Sequence, residues 1–248
     1  MQNLGTMRRA CLALIAVIAF AGCGGGDSPR LTVSAAASLT DALTRCSHGV
    51  RLSFACSDEL AAQIRHGARV DVFAAANMKL PAALHAEGRV GMPRAFATNQ
   101  LVIAVPRGSS VRSLGDLARP GTKLVIGAAG VPVGDYTRTV LGRLGAAQRR
   151  AILRGVRSTE PDVNGVVGKV ALGAADAGFV YASDVKASDG RLRAVGLPAR
   201  LQPTVVYGAA VVRRSKQPAQ ARRYIDGLVG GLCARALRAA GFGPPPGR

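Results

Sequence analysis

Ser38, in Ala35-Ala36-Ala37-Ser38-Leu39-Thr40-Asp41-Ala42-Leu43, and Ser57, in Phe54-Ala55-Cys56-Ser57-Asp58-Glu59-Leu60, each stand where a short apolar run gives way to a helix start. Leu31-Thr32-Val33 reads as the strand before the first of them, and Ser38-x-x-Asp41 has the pattern of a capping box. The opening turn of a helix carries backbone N–H groups without intrahelical acceptors, and about half a unit of positive charge. A hydroxyl donor added there makes a place for an anion that needs no lysine or arginine. One serine so placed is ordinarily a helix cap. Two of them close together, with further donors downstream, point to a shared anion site.

The further donors lie in three segments. Val131-Pro132-Val133-Gly134-Asp135-Tyr136 opens a helix, with Pro132 suited to its first turn and Gly134 permitting a close backbone approach. Glu160-Pro161-Asp162-Val163 opens another, its acidic residues placed where the helix dipole favours them. Gly178-Phe179-Val180-Tyr181-Ala182-Ser183-Asp184 ends a strand with a phenolic hydroxyl free to donate. Taken singly, these also read as two caps and a half-buried tyrosine. Catalysis is a remote alternative: a serine hydrolase built on Ser38 or Ser57 lacks a G-x-S-x-G elbow, and His48, His66 and His85 are scattered away from both serines. No C-x-x-C or H-x-x-x-H spacing offers a metal site.

The elements that must position these residues alternate between strand and helix, the pattern of an α/β fold with mainly parallel sheets. Strands are predicted over Leu31–Ala35, Val50–Ala55 and Val70–Ala74, with helices over Thr40–Arg45, Leu60–His66 and Leu80–Glu87. Asn99–Val105 is a strongly apolar strand, and a second α/β set follows it. In that set Leu114–Ala118 is a short helix, Leu124–Ala128 a strand, and Val133–Leu144, Ala147–Leu153 and Val163–Leu172 helices. Ala177–Tyr181, Leu192–Gly196 and Thr204–Val212 are strands, and Ala219–Leu237 is the closing helix. The expected architecture is two lobes, each a mainly parallel sheet flanked by helices, hinged by the crossing strands Asn99–Val105 and Thr204–Val212. A single doubly wound sheet is the alternative.

Composition sets the wider frame. With 248 residues, 48% hydrophobic but only 4% aromatic and without tryptophan, the core must be built from Ala, Val, Leu and Ile. The net charge of +19 would suit nucleic acid. The arginines are dispersed, however, aromatics for base stacking are scarce, and the N-terminus is an export leader, so no nucleic-acid partner is expected. In that leader Arg8-Arg9 precedes an apolar stretch from Ala10 to Ala21, too short to span a bilayer. Phe20-Ala21-Gly22-Cys23 resembles the lipobox of bacterial lipoproteins, with phenylalanine in place of leucine. That resemblance implies a signal peptide over 1–23, lipidation of Cys23, and a flexible tether over 24–30. Ordinary cleavage near Ala21 is the alternative. Either way the protein works outside the cytoplasm, where Cys46, Cys56 and Cys233 remain. Cys46 and Cys56 are a candidate pair, a helix end and the following strand end; the sequence leaves the pairing open.

The segments that carry the donors, taken in order, closely resemble the periplasmic molybdate-binding proteins of bacterial ABC transporters. The matching pieces are A-A-A-S-L-T-D-A-L at 35–43, L-A-A-Q-I at 60–64, D-V-F-A-A-A-N at 71–77, N-Q-L-V-I-A-V-P at 99–106, V-P-V-G-D-Y at 131–136, E-P-D-V at 160–163 and D-A-G-F-V-Y-A-S-D at 176–184. The resemblance spans residues 31–242 and implies the type II periplasmic-binding-protein fold. Lobe 1 would comprise 31–98 and 206–243, lobe 2 would comprise 99–205, and a disordered tail 244–248. It also implies a ligand, molybdate or tungstate, and no cofactor. The hydroxyl donors would be Ser38, Ser57 and Tyr181, and the backbone donors would include Ser38, Ser57, Val133 and Val163. The expected partners are an ABC permease with its ATPase, and the membrane through the lipid anchor. The expected state is a monomer, not an enzyme. A binding protein of the same fold for sulfate, thiosulfate or phosphate is the nearest alternative.

A tetrahedral dianion without a proton is satisfied by donors alone, whereas phosphate usually carries a proton and wants an acceptor. Asp58-Glu59 departs from the small residues common in the family after the second serine, and these carboxylates are expected to face solvent. The first helix is also short, ended by Cys46-Ser47-His48-Gly49. Asp71 and Asp176 are expected to brace structure, and Arg69 and Arg138 to be surface charges.

Overall fold

The computed structural model describes residues 30–247, so Cys23 and its leader lie outside the described residues. From the N-terminus, strand β1 (Thr32–Ala36) runs through a 3-10 turn, Ala37–Leu39, into helix α1 (Thr40–Thr44). Then come β2 (Arg51–Ala55), α2 (Ser57–Arg65), β3 (Val72–Ala75) and α3 (Lys79–Ala86). Strand β4 (Arg94–Asn99) is followed after Gln100 by β5 (Leu101–Pro106), β6 (Leu124–Gly127), α4 (Pro132–Gly142) and α5 (Ala146–Arg154). The chain continues through β7 (Val156–Glu160), α6 (Val163–Ala171), β8 (Ala177–Tyr181), α7 (Ala182–Lys186) and β9 (Leu192–Gly196). It ends with β10 (Val205–Val211), α8 (Pro218–Gly230) and α9 (Leu232–Ala239).

The strands form two five-stranded sheets, ordered β2-β1-β3-β10-β4 and β7-β6-β8-β5-β9. Each sheet has the same plan. Three strands run parallel, β1 between β2 and β3 in one and β6 between β7 and β8 in the other. An antiparallel strand, β10 or β5, then joins that set to an edge strand. Small residues let the helices approach closely: a Cβ on Gly134 of α4 would overlap the carbonyl oxygens of Gly127 and Ala128. The core is built of Val, Leu, Ile and Ala, with Tyr181, Tyr207, Phe73, Phe96 and Phe179 its largest fully buried members.

Several expectations are corrected. The crossings between sheets fall at Gln100 and over 197–204, so Asn99–Val105 and Thr204–Val212 mark strands that each lie essentially within one sheet. The two crossings are neighbours, because Val205 pairs with Asn99. The closing helix is two helices, broken at Gly231 where the backbone turns extended. Strands β4 and β7 and helix α7 were not foreseen. The tail is placed as far as Gly247, with Thr98 Oγ1 donating to the Pro244 carbonyl at 2.9 Å.

The disulfide joins Cys46 to Cys233, while Cys56 is a buried free thiol, so the candidate Cys46–Cys56 pair is not formed. This bond ties the end of the short α1 to α9, on which α1 packs. Beside it the hydroxyls of Ser47 and Tyr224 share a 2.8 Å hydrogen bond, which fastens the same turn to α8. Asp71 and Asp176 do brace structure, accepting the N–H groups of Thr32 at 2.8 Å and Lys123 at 2.7 Å. Arg138 is more than a surface charge, because its Nη1 donates at 3.0 Å to the carbonyls of both Gly127 and Gly134.

Candidate anion-binding site

The C-terminal ends of all six parallel strands converge on one cleft between the sheets, the place where open α/β sheets present ligands. From the first sheet, the end of β1 and the 3-10 turn after it supply Ala36, Ala37 and Ser38, the step from β2 into α2 supplies Cys56 and Ser57, and Ala76 follows β3. From the second, the turns after β6 and β7 supply Val131, Pro132, Val133, Asp162 and Val163, and β8 supplies Tyr181. The cavity among them is about 20 Å³. The five residues singled out from sequence, Ser38, Ser57, Val133, Val163 and Tyr181, are all among its walls.

Each donor is held in place by its element. Ser57 is the first residue of α2, and its hydroxyl oxygen accepts the Ala76 N–H at 3.1 Å, which leaves the hydroxyl hydrogen to be donated. Val133 lies in the first turn of α4 after Pro132, where the backbone N–H has no intrahelical acceptor. Val163 opens α6, whose cap is Asp162 accepting the Gly165 N–H at 2.9 Å. Ser38 does not form the expected capping box. It sits within the 3-10 turn, its hydroxyl 2.9 Å from that of Tyr207, while Asp41 pairs with Arg45 at 2.7 Å.

Tyr181 is the most telling of the five. It is 1% exposed, and its hydroxyl has no hydrogen-bond partner among the described residues. Buried hydroxyls are rarely left so. The rings of Tyr136 and Tyr207 hold it edge-on, with centroids 6.4 and 5.9 Å away. Burial first, then the neighbouring tyrosines, raise its pKa well above the usual phenol range. It is therefore a neutral, pre-positioned donor.

Among the described residues no lysine, arginine or histidine lines the cavity. The one carboxylate there is Asp162, engaged in its cap. Glu59 is exposed, as expected, and accepts from Gln63 at 3.1 Å. Asp58 departs from expectation: it is half-buried, with Oδ1 shielded from solvent and unpartnered. It stands beside Cys56, whose thiol is pushed up by burial and then by Asp58. Cys56 and Asp162 line the cavity although nothing in the local sequence marked them as site residues, and Tyr207 behind Ser38 carried no sequence signal at all.

Contacts across the cleft join the two sheets' halves of the molecule. Lys79 of α3 lies 3.8 Å from Asp135 of α4, and Asn99 donates to Ser183 at 2.9 Å. No cluster of three or more His, Cys, Asp or Glu side chains suited to a metal occurs among the described residues. No helix among them is long and apolar enough to cross a membrane.

The arrangement has clear counterparts. The "Molybdate-binding protein ModA" of Mycobacterium tuberculosis H37Rv is 35% identical over 227 residues, covering 87% of this chain and 85% of that one. The periplasmic molybdate-binding protein of Azotobacter vinelandii superposes with a TM-score of 0.75 at 23% identity, over 87% of this chain and 100% of that one. The sulfate-binding protein SubI of M. tuberculosis superposes with a TM-score of 0.73 at 17% identity, over 88% of each chain. The family model for bacterial extracellular solute-binding proteins matches residues 31–243, the stretch that builds both sheets and every wall of the cavity. With this fold and that match, the chain belongs to the bacterial extracellular solute-binding protein family.

Proposed function

We propose that this protein captures molybdate outside the cytoplasm, also accepts tungstate, and passes the anion to the permease and ATPase of an ABC transporter. The observation that carries the reading is the buried, unpartnered Tyr181 hydroxyl facing a cavity whose donors include Ser38, Ser57 and the helix starts at Val133 and Val163. Such a wall suits a dianion that carries no proton, and it spreads the charge over neutral dipoles without a buried salt bridge. Since superpositions of nearly equal quality link the fold to a molybdate binder and to a sulfate binder, the fold alone does not choose the anion. The sequence relative favours molybdate.

The protein performs no chemistry on its ligand and needs no cofactor. The two lobes, assigned to residues 31–98 with 206–243 and to 99–205, close about the paired crossings at Gln100 and 197–204. Closure excludes water and strengthens every hydrogen bond to the anion. Selection against sulfate rests on cavity size, because the Mo–O bond is longer than S–O, and tungstate matches molybdate. Lipidation at Cys23 holds the monomeric protein at the membrane surface. A second reading draws on Asp162, a carboxylate in the cavity wall that would accept the proton of monohydrogen phosphate.

Calorimetric titration of the full chain in detergent with molybdate, tungstate, sulfate and phosphate tests both. Tight one-to-one binding of the first two, with sulfate and phosphate at least about a hundredfold weaker, is expected; 1.4 kcal/mol per tenfold makes that a gap of nearly 3 kcal/mol. Preferential binding of phosphate would transfer the site to the second reading.

A further inference from the structure

Tyr207 stands behind the cavity wall, on β10, and is fully buried. Its hydroxyl lies 2.9 Å from that of Ser38. Asn99 is the nearest polar residue on the same face of the neighbouring strand β4. The register sets this placement: Val205 pairs with Asn99 and Tyr207 with Ala97, so Asn99 and Tyr207 are diagonal neighbours on one sheet face.

The direction of these bonds is fixed at one end. Asn99 Oδ1 accepts the Gln100 N–H at 2.9 Å, so the other end of the amide is the donor. One of its hydrogens goes to Ser183 Oγ at 2.9 Å, and the second is free for the oxygen of Tyr207, its diagonal neighbour across the strand pair. A buried tyrosine must also place its own hydrogen. Asn99 Nδ2 cannot accept it, whereas Ser38 Oγ can. With its oxygen thus occupied, Ser38 has its hydrogen free for the cavity.

We propose that Asn99 and Tyr207 are positioning residues that set the direction of a hydrogen-bond chain, Asn99 to Tyr207 to Ser38, so that the Ser38 hydroxyl always donates toward the bound oxyanion. The inference rests on the oxyanion reading of the cavity. Asn99 lies at the crossing between the lobes and bonds Ser183 of the second, so the aim of Ser38 is set by the same residue that ties the lobes together.

A double-mutant cycle on the full chain tests this, with molybdate affinity as one readout and ligand-free melting temperature as the other. Tyr207→Phe removes only the hydroxyl and is expected to weaken molybdate about tenfold in the wild-type background. In the Ser38→Ala background, which keeps Ser57, Tyr181 and the N–H donors, the same change is expected to alter affinity less than about twofold. Asn99→Ala, run through the same cycle, repeats the test if Tyr207→Phe folds poorly. An equal loss in both backgrounds, or no loss in either, would overturn the proposal while leaving the oxyanion site standing. Failure of the wild-type chain to bind any oxyanion would overturn both.

Discussion

Replacing Tyr181 by phenylalanine moves two observables in opposite directions, which makes it the most discriminating perturbation of the site. The side chain is 1% exposed and its hydroxyl has no partner among the described residues. Without ligand, the change deletes no hydrogen bond within the protein and removes a desolvated polar group, whose burial costs about 1–3 kcal/mol. Even the lower figure raises the ligand-free melting temperature by about 2–4 °C in a chain of this size. With ligand, the change deletes a hydrogen bond to a charged acceptor, worth about 1.5–3 kcal/mol. Affinity for molybdate therefore falls by roughly 10–150-fold. Differential scanning calorimetry without ligand and titration calorimetry with molybdate read the two effects separately. A melting temperature lowered by several degrees with unchanged affinity would refute the reasoning, because the hydroxyl would then be serving the protein rather than the anion.

Other consequences follow from burial and covalent structure. Reducing the Cys46–Cys233 bond, or replacing both cysteines with serine, releases a link across 187 positions of sequence, and is expected to cost about 2–4 kcal/mol. Melting with and without dithiothreitol checks this, and the double serine variant should no longer respond to the reductant. Burial pushes the Asp184 carboxyl up from 3.8 to about 7. A carboxyl raised on folding holds a proton that the unfolded chain releases, so stability falls as pH rises from about 4 to about 7, by roughly 4 kcal/mol at most. Asp184→Asn should therefore melt higher than wild type at pH 8 and together with it below pH 4. Gly134→Ala forces a Cβ onto the carbonyls of Gly127 and Ala128, and overpacking of this kind costs about 1–3 kcal/mol. It should also weaken molybdate binding by displacing Val133, which titration and melting of the same variant will show.

What could be read from sequence was what is local. Apolar runs bounded by Ala-Ser and Cys-Ser steps mark the ends of β1 and β2 because those strands are short and lead straight into turns. Strand β7 escaped notice because it is a sheet edge: in Val-Arg-Ser-Thr-Glu only Glu160 is fully buried. Strand β4 escaped for a similar reason, its Arg94-Ala-Phe-Ala-Thr-Asn mixing polar with apolar residues and carrying an irregular register against β10. The break between α8 and α9 turns on one glycine inside an otherwise helical pattern. Ser38, Ser57, Val133, Val163 and Tyr181 are legible as helix starts and a strand end, through their resemblance to a family, and all five line the candidate cavity. Cys56 seemed a disulfide partner because its rival, Cys233, is brought to Cys46 only by the packing of α9 on α1. Tyr207 was invisible, since what distinguishes it is a neighbour 169 positions away.

The place of β10 in the first sheet bears on how the chain comes together as it is made. Strand β4 touches the rest of its sheet only through β10, which is synthesised more than a hundred residues later. The second sheet uses a continuous run, β5 to β9, and is complete before β10 exists. The second lobe can thus fold while the first still waits for its penultimate strand, and such long-range pairing is slow. Tyr207, which steadies Ser38, arrives with that same strand. The first sheet, and with it the contact between Tyr207 and Ser38 in the cavity wall, is therefore complete only when nearly the whole chain is present.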